Sequence, residues 1–170
     1  MEKVYLDNAA TTKPHRQVID RVSEVSQNQY ANPSSLHTMG IEAESIVTNS
    51  RKILANMLDC RADEVVFTSG GTESDNMAIL GYAYGARKKG NHIISTKIEL
   101  PAVLEPILRL QDEGFDVDFV RVDQDGIVDI EHFSKLVRDD TILVSIMLIN
   151  NEVGSIQPIG EIKRILSAAH

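Results

Sequence analysis

The segment TSGGTES, residues 68–74, has the composition of a phosphate-binding turn. It lies where a predicted strand is followed by a predicted helix, and a helix start presents unpaired N–H groups at the positive end of the helix dipole. Gly70 and Gly71 let the backbone approach a ligand closely, and Thr72 adds a hydroxyl donor. The segment is neither a Walker motif nor a G-x-G-x-x-G fingerprint. A glycine turn followed by an ordinary helix start explains it equally well.

A second polar segment, NNEVG at residues 150–154, follows the most hydrophobic predicted strand. Open parallel sheets bind ligands beyond the carboxyl ends of their strands, so Asn150 and Asn151 could bond an oxygen-bearing ligand there. An ordinary Asn/Gly turn is the simpler explanation of the segment taken alone. Two further polar loops, residues 7–12 (DNAATT) and 32–37 (NPSSLH), indicate no particular chemistry by themselves.

Strands and helices alternate along most of the chain. We predict strands at residues 4–6, 64–68, 92–96, 117–122 and 142–149, and helices at about 16–27, 41–58, 72–89, 102–113 and 130–137, with a last helix from about Ile159 to His170. Helices of this length between strands indicate βαβ units, so the predicted fold class is α/β with a mostly parallel sheet flanked by helices. The last helix either leads into another strand or closes the domain, and the pattern leaves both open.

The composition excludes several functional classes. With 170 residues and 42% hydrophobic residues, the chain can bury the core of one domain. Its net charge of −8 argues against non-specific nucleic-acid binding. No apolar run approaches the roughly 20 residues that span a bilayer, and the N-terminus lacks the apolar region of a secretory signal. We therefore expect a soluble, cytoplasmic protein with neither a nucleic acid nor a membrane as partner.

Cysteine and histidine usage predicts no metal site. The single cysteine, Cys60, excludes an internal disulfide framework and a multi-cysteine site. The residues His15, His92, His132 and His170 show no ligand spacing, so we expect them to be ordinary surface or core residues.

Six blocks of sequence occur together in a known family. They are YLDNAATT, NPSSLH, EVVFTSGGTESDN, HIISTKIE, RDDTILVSIML and NNEVG, in that order. By these blocks the chain resembles the cysteine desulfurases of the NifS/IscS type, which are class V aminotransferases and fold-type I pyridoxal-phosphate enzymes. The resemblance spans essentially the whole chain and implies an N-terminal portion only. Residues 1–15 would form an N-terminal arm, and residues 16–170 the first part of the large, cofactor-binding domain.

The resemblance also implies roles for individual residues. Gly71 and Thr72 would bind the phosphate of pyridoxal 5′-phosphate, which agrees with the helix-start argument. Asn151 matches the asparagine that bonds the cofactor's 3′-oxygen, and Asn8 and Ala9 match a region near the substrate. The implied reaction takes sulfur from L-cysteine, leaves L-alanine, and passes the sulfur to an enzyme persulfide for iron–sulfur cluster assembly or tRNA thiolation. A homo-oligomer and a sulfur acceptor protein are the implied partners.

The chain departs from the family pattern in two respects. Leu100 stands where the family has a histidine that stacks on the pyridine ring, and leucine has no titratable nitrogen with which to move protons. The family's cofactor-binding lysine, its pyridinium-pairing aspartate and its sulfur-carrying cysteine all lie beyond the region matched. We expect no catalytic residue in this chain, which alone would be inactive. Lys97 fits an ordinary surface lysine and Cys60 a small structural residue.

Other interpretations stay open. One is a non-catalytic phosphate- or cofactor-binding module, or a scaffold, derived from the family. Another is one half of a split enzyme, completed by a complementary C-terminal half. A third is a different class V relative, such as a selenocysteine lyase or an aminotransferase. Because an incomplete sheet leaves an edge and apolar helix surface uncovered, we also expect self-association or a need for a partner.

Overall fold

The computed structural model describes residues 3–169, and its contacts divide the chain into two compact units, Met1–Phe67 and Thr68–His170. The helices are α1 (Arg16–Asn28), α2 (Thr38–Leu58), α3 (Gly71–Ala86), α4 (Pro101–Asp112), α5 (Ile130–Leu136) and α6 (Ile159–Ala169), and the strands are β1 (His92–Thr96), β2 (Asp116–Val120) and β3 (Thr141–Ser145). Among the described residues, no helix is both long enough and apolar enough to cross a membrane.

The first unit consists mainly of α1 and α2, which form where apolar residues recur at helical spacing. The apolar residues Val18, Ile19 and Val22 recur at helical spacing on α1, and all three are exposed. Helix α2 begins where the His37 ring nitrogen Nδ1 accepts a hydrogen bond from the Gly40 N–H, 3.3 Å away. It ends at Asp59, whose left-handed φ of 52° turns the chain out of the helix.

The second unit contains a three-stranded parallel sheet in the order β2–β1–β3. All five residues of the central strand β1 are buried. Parallel pairing brings His92, Asp116 and Thr141 to the amino edge of the sheet, at the start of each strand. The carboxyl ends of the strands meet at the opposite edge, where a ligand is expected in an open α/β sheet.

Successive residues of β1 point to opposite faces of the sheet, and both faces are covered by helices that bury these side chains. Ile93 belongs to one buried cluster, in which residues of α3 and α4 pack on the sheet. Ile94 belongs to the other, which includes Phe133 of α5 and Ile162 of α6. The predicted α/β fold class, with a parallel sheet flanked by helices, is confirmed.

Two predicted strands are wrong. Residues 4–6 form no strand and are exposed. Of residues 64–68, Glu64 ends a 3₁₀ turn (Ala62–Glu64), and the other four pair with no strand. Val65 has an extended backbone, yet its carbonyl accepts from the Arg51 side chain at 3.2 Å instead of from a neighbouring strand. Residue type favours extended chain at both places. A strand also needs a hydrogen-bonded neighbour, and none of the described residues provides one.

The strand predicted at 142–149 ends four residues early, at Ser145. The reason is a competing acceptor. The Met147 N–H donates to the Glu99 carboxylate at 2.8 Å and therefore cannot bond to a neighbouring strand. Ile149 then pairs with Ile156 in an isolated antiparallel bridge. The chain therefore leaves the sheet earlier than its hydrophobicity indicates and enters the loop that bears Asn150 and Asn151.

Candidate functional site

The start of α3 presents free hydrogen-bond donors. Gly70 precedes the helix in an extended conformation, and the first bond along the helix runs from the Ser74 N–H to the Gly70 carbonyl, 3.1 Å away. The N–H groups of Gly71, Thr72 and Glu73 therefore have no acceptor within the helix. A Cβ built on Gly70 or Gly71 would meet no atom within 4 Å, so the space beside these donors is open.

Side chains of the same turn bond to each other and leave Thr72 out. The Glu73 carboxylate accepts from the Ser69 N–H and the Ser69 hydroxyl, both at 2.6 Å. These bonds, the hydroxyl first, hold the pKa of Glu73 below its usual value, so this carboxylate is ionised at neutral pH. Thr68 and Ser74 join their hydroxyl oxygens at 2.6 Å. The exposed Thr72 hydroxyl has no partner among the described residues and can donate to a ligand.

A cavity of about 310 Å³ lies beyond the carboxyl ends of β1 and β3. Asp75, from the first turns of α3, forms one wall. Leu100, which precedes the first residue of α4 and is 43% exposed, forms another, and Asn151 and residues 145–147 also line the cavity. The structure therefore brings Leu100 and Asn151, which are far apart in sequence, to one cavity beside α3.

The two neighbouring asparagines have different environments. Asn150 is 7% exposed; its Nδ2 donates to the Ile98 carbonyl at 3.2 Å, and its Oδ1 accepts from the N–H groups of Glu152 and Val153. Asn151 is exposed and, within residues 3–169, its side chain bonds only to the adjacent Glu152 carboxylate, at 3.1 Å. Asn150 thus holds the turn, while the amide of Asn151 remains accessible from the cavity.

Glu99, which was not among the residues predicted from the sequence, also lines this cavity. Its side chain is 8% exposed, and Oε1 accepts from the Thr96 hydroxyl at 3.0 Å and from the Met147 N–H at 2.8 Å. Burial raises the pKa of the Glu99 carboxyl against the opposing effect of these two bonds, and the nearby Asp75 raises it further. The available sequence signal is a carboxylate three residues after the end of a buried strand.

Asn76 is a second residue that the sequence analysis missed. Its Nδ2 lies 2.9 Å from the Thr72 carbonyl and 3.3 Å from the Ala102 carbonyl. One amide thereby links the first turn of α3 to the first turn of α4. The donors of α3 and the side chain of Leu100 are held on neighbouring helix starts by this link.

Comparison with known proteins identifies the family. The model of the family described as "Aminotransferase class-V" matches residues 4–170. The chain belongs to the class V aminotransferases. It is 44% identical over 163 residues to a cysteine desulfurase IscS of Dictyoglomus turgidum, covering 96% of this chain and 41% of that protein. The family expected from the six sequence blocks is confirmed.

Solved structures of class V relatives match the fold. A NifS-like protein superposes with a TM-score of 0.95 at 41% identity, over 99% of this chain and 46% of that one. A structure titled "SspA in complex with cysteine" gives a TM-score of 0.88 at 32% identity, over 96% and 47% of the two chains. The chain thus spans less than half the length of these relatives.

In this class V chain, Asn8 and Ala9 lie in the first unit, in an exposed turn. The Asn8 amide donates to the Tyr5 carbonyl at 3.3 Å, and the Ala10 N–H lies 3.3 Å from the Asp7 carbonyl. These local bonds give the turn its shape. The predicted role of Asn8 and Ala9 near the substrate stays a prediction.

Neither Lys97 nor Cys60 is among the residues that line the 310 Å³ cavity. Lys97 is exposed, with its Nζ 5.7 Å from the centre of the Phe119 ring. Cys60 follows the end of α2, where its N–H bonds to the Ala55 carbonyl at 3.0 Å. Within residues 3–169 no group of three or more His, Cys, Asp and Glu side chains could hold a metal ion. His170 lies outside the described residues.

Proposed function

We propose that this chain is the N-terminal part of a pyridoxal-phosphate-dependent cysteine desulfurase and forms one side of its cofactor site. The single observation that supports this most is the shared cavity of Leu100 and Asn151 beside α3. The named relatives are cysteine desulfurases, and one related structure is titled as a complex with cysteine. Bound pyridoxal phosphate would supply an electron-withdrawing ring to the amino-acid substrate.

The donors at the start of α3 fit a phosphate group. Gly71 and Thr72 offer N–H groups without helical acceptors, beside open space, and the Thr72 hydroxyl adds a further donor. The ionised Glu73 carboxylate opposes an anion, but its bonds to Ser69 occupy one of its oxygens. We therefore assign the phosphate to Gly71 and Thr72.

Asn151 and Leu100 fit a pyridine ring in different ways. The exposed Asn151 amide can donate to a ring oxygen, as the resemblance implies for the 3′-oxygen. Leu100 can pack against a ring face and exclude water from it, but it can neither accept nor release a proton. We propose that a complete enzyme with Leu100 would have impaired proton transfer compared with relatives that have histidine there.

We propose that the 170 residues alone do not release sulfur from cysteine. The lining of the cavity includes neither a lysine nor a cysteine among the described residues. Further residues must then provide the amine that binds the cofactor and the thiolate that accepts sulfur. L-cysteine as substrate, a sulfur acceptor protein, a homo-oligomer or a complementary C-terminal half, and a cytoplasmic location are parts of this same proposal.

A reconstitution experiment tests the proposal. The chain alone, and the chain joined to the remaining C-terminal residues of the Dictyoglomus turgidum relative, are assayed for sulfide release from L-cysteine with added pyridoxal phosphate. We expect no protein-dependent release from the chain alone and release from the joined protein, reduced by Thr72→Val. Release by the chain alone would contradict the proposal.

Leu100 is the observation that favours the alternative, a non-catalytic module that binds the cofactor or its phosphate. A joined protein that binds pyridoxal phosphate but releases no sulfide, even with Leu100→His, would support this alternative. A joined protein in which Leu100→His raises the rate would support the desulfurase.

A further inference from the structure

Glu99 is a buried carboxyl group for which the proposed cofactor contacts provide no role. It lies between the end of β1 and Leu100, the residue that precedes α4. A buried carboxyl group is unfavourable unless hydrogen bonds compensate for its lost hydration. Two bonds do so here, from the Thr96 hydroxyl and from the Met147 N–H, and both end on the same oxygen, Oε1.

The bond from Met147 joins two parts of the chain that are 48 residues apart in sequence. Met147 belongs to the segment that leaves β3 and leads to Asn151, whereas Glu99 directly precedes Leu100. A second bond, from the Asn150 amide to the Ile98 carbonyl, joins the same two segments. The segment that bears Leu100 and the segment that bears Asn151 are therefore joined by two hydrogen bonds, close to the cavity that both residues line.

We propose that Glu99 is a positioning residue whose Oε1 fixes Asn151 relative to Leu100, so that both can contact one pyridine ring. This inference rests on the proposed function, because it assigns the ring to these two residues. The property that matters is an acceptor at the reach of a glutamate side chain. A negative charge on Glu99 is not required, and its burial and the neighbouring Asp75 both disfavour one.

Two probes separate positioning from general stability. Inorganic phosphate reports only on Gly71 and Thr72, whereas pyridoxine 5′-phosphate also reports on the ring contacts and lacks the aldehyde that reacts with surface lysines. Both are titrated into the full chain and its variants, and binding is followed by amide NMR spectra. In the unaltered chain, pyridoxine 5′-phosphate should bind more tightly than inorganic phosphate.

Three substitutions of Glu99 then test the inference. Glu99→Gln keeps the acceptor at the same reach and should retain the preference for the ring-bearing probe. Glu99→Asp keeps a carboxyl group one methylene shorter and should weaken pyridoxine 5′-phosphate binding about fivefold, the equivalent of one lost hydrogen bond. Glu99→Ala should do the same, and inorganic phosphate affinity should stay within about twofold for all three, since the α3 donors are unaltered.

The outcomes separate a failure of the positioning role of Glu99 from a failure of the proposed function. A retained preference in Glu99→Asp, or its loss in Glu99→Gln, would overturn the positioning role while leaving the proposed function intact. An equal fall in affinity for both probes would show a merely structural role and would also overturn it. If Glu99→Ala does not fold, the Gln and Asp variants decide. If the unaltered chain shows no preference for the ring, the proposed function fails, and this inference fails with it.

Discussion

The two edges of the sheet have similar polar side chains and use them in opposite ways. At the amino edge, the fully buried His92 has its two ring nitrogens 2.8 Å from the Thr141 hydroxyl and 3.2 Å from the Asp118 carboxylate. Beside it the Arg138 guanidinium donates to Asp116 at 2.7 Å. Each of these groups has a partner within the protein, so the network is closed.

At the carboxyl edge only some of the polar side chains form hydrogen bonds that join different segments of the protein. Glu99 and Asn150 join the loops, while the Asn151 amide and the Thr72 hydroxyl remain available. Thr72 and Asn151 are both exposed and can bond to a ligand at this edge, where Asn151 lines the 310 Å³ cavity. From this contrast we infer that the polar side chains of the amino edge stabilise the fold and that those of the carboxyl edge bind a ligand.

The largest effect should follow from breaking the closed network with His92→Ala. Removing a fully buried ring leaves a cavity and two partners without their bonds, so the free energy of unfolding should fall by about 3 kcal/mol. Urea denaturation followed by circular dichroism measures this. His15→Ala is the matched control, because that side chain is exposed and forms no capping bond, and it should change stability by less than about 0.5 kcal/mol. A loss below about 1 kcal/mol for His92→Ala would contradict the assignment.

Thr72→Val should weaken ligand binding without affecting stability. The substitution keeps the shape and removes one donor to a charged phosphate, which is worth about 1.5 kcal/mol, or roughly a tenfold loss of affinity. The loss should appear for both inorganic phosphate and pyridoxine 5′-phosphate. Thr38→Val, at the first position of α2, is the control that changes the same residue type at another helix start. Equal effects of the two variants would argue against a specific phosphate site at α3.

Leu100→His should strengthen binding of the ring-bearing probe only. An imidazole stacked on a pyridine ring adds roughly 0.5–1.5 kcal/mol, which corresponds to a few-fold gain in affinity for pyridoxine 5′-phosphate. Inorganic phosphate affinity should not change. Leu36→His, at a residue 95% exposed in the first unit, is the control. An unchanged affinity for both probes would mean that Leu100 does not face the ring.

The smallest effect concerns pH. Burial raises the pKa of Glu99 above the value that the carboxyl has in the unfolded chain, so the folded state binds the proton more tightly. The stability that this group contributes is then fully present below the unfolded pKa and is lost as pH rises through the folded pKa. The difference in unfolding free energy between Glu99→Gln and the unaltered chain should therefore grow in favour of Gln as pH rises from about 4.5. A difference that grows in favour of Glu99 would contradict the raised pKa.

The helices could be predicted from sequence because their signal is local. Apolar spacing for α1 and α2, and the alternation of strands and helices for α3 to α6, predicted all six within a few residues of their observed bounds. The strands at 4–6 and 64–68 were wrong because a strand depends on a neighbour that residue type does not reveal. β3 ended early because the acceptor that competes for Met147 lies 48 residues away, at Glu99.

The candidate site was only partly predictable for the same reason. The donors of Gly71 and Thr72 follow from a glycine pair at a helix start, which is a local pattern. The different environments of Asn150 and Asn151 depend on which amide reaches Ile98, which is a tertiary contact. Glu99 was missed because its bond to the Met147 N–H joins residues 48 positions apart, which a local pattern does not reveal.

The most direct test maps the binding of pyridoxine 5′-phosphate to one edge of the sheet. Amide NMR spectra of the full chain are recorded during a titration with this compound. The account predicts concentration-dependent shifts at the backbone amides of Gly71 and Thr72 and at the side-chain amide of Asn151, with His92 and Arg138 unchanged. Shifts at the amino edge, or none at Gly71, Thr72 and Asn151 at saturating concentration, would contradict it.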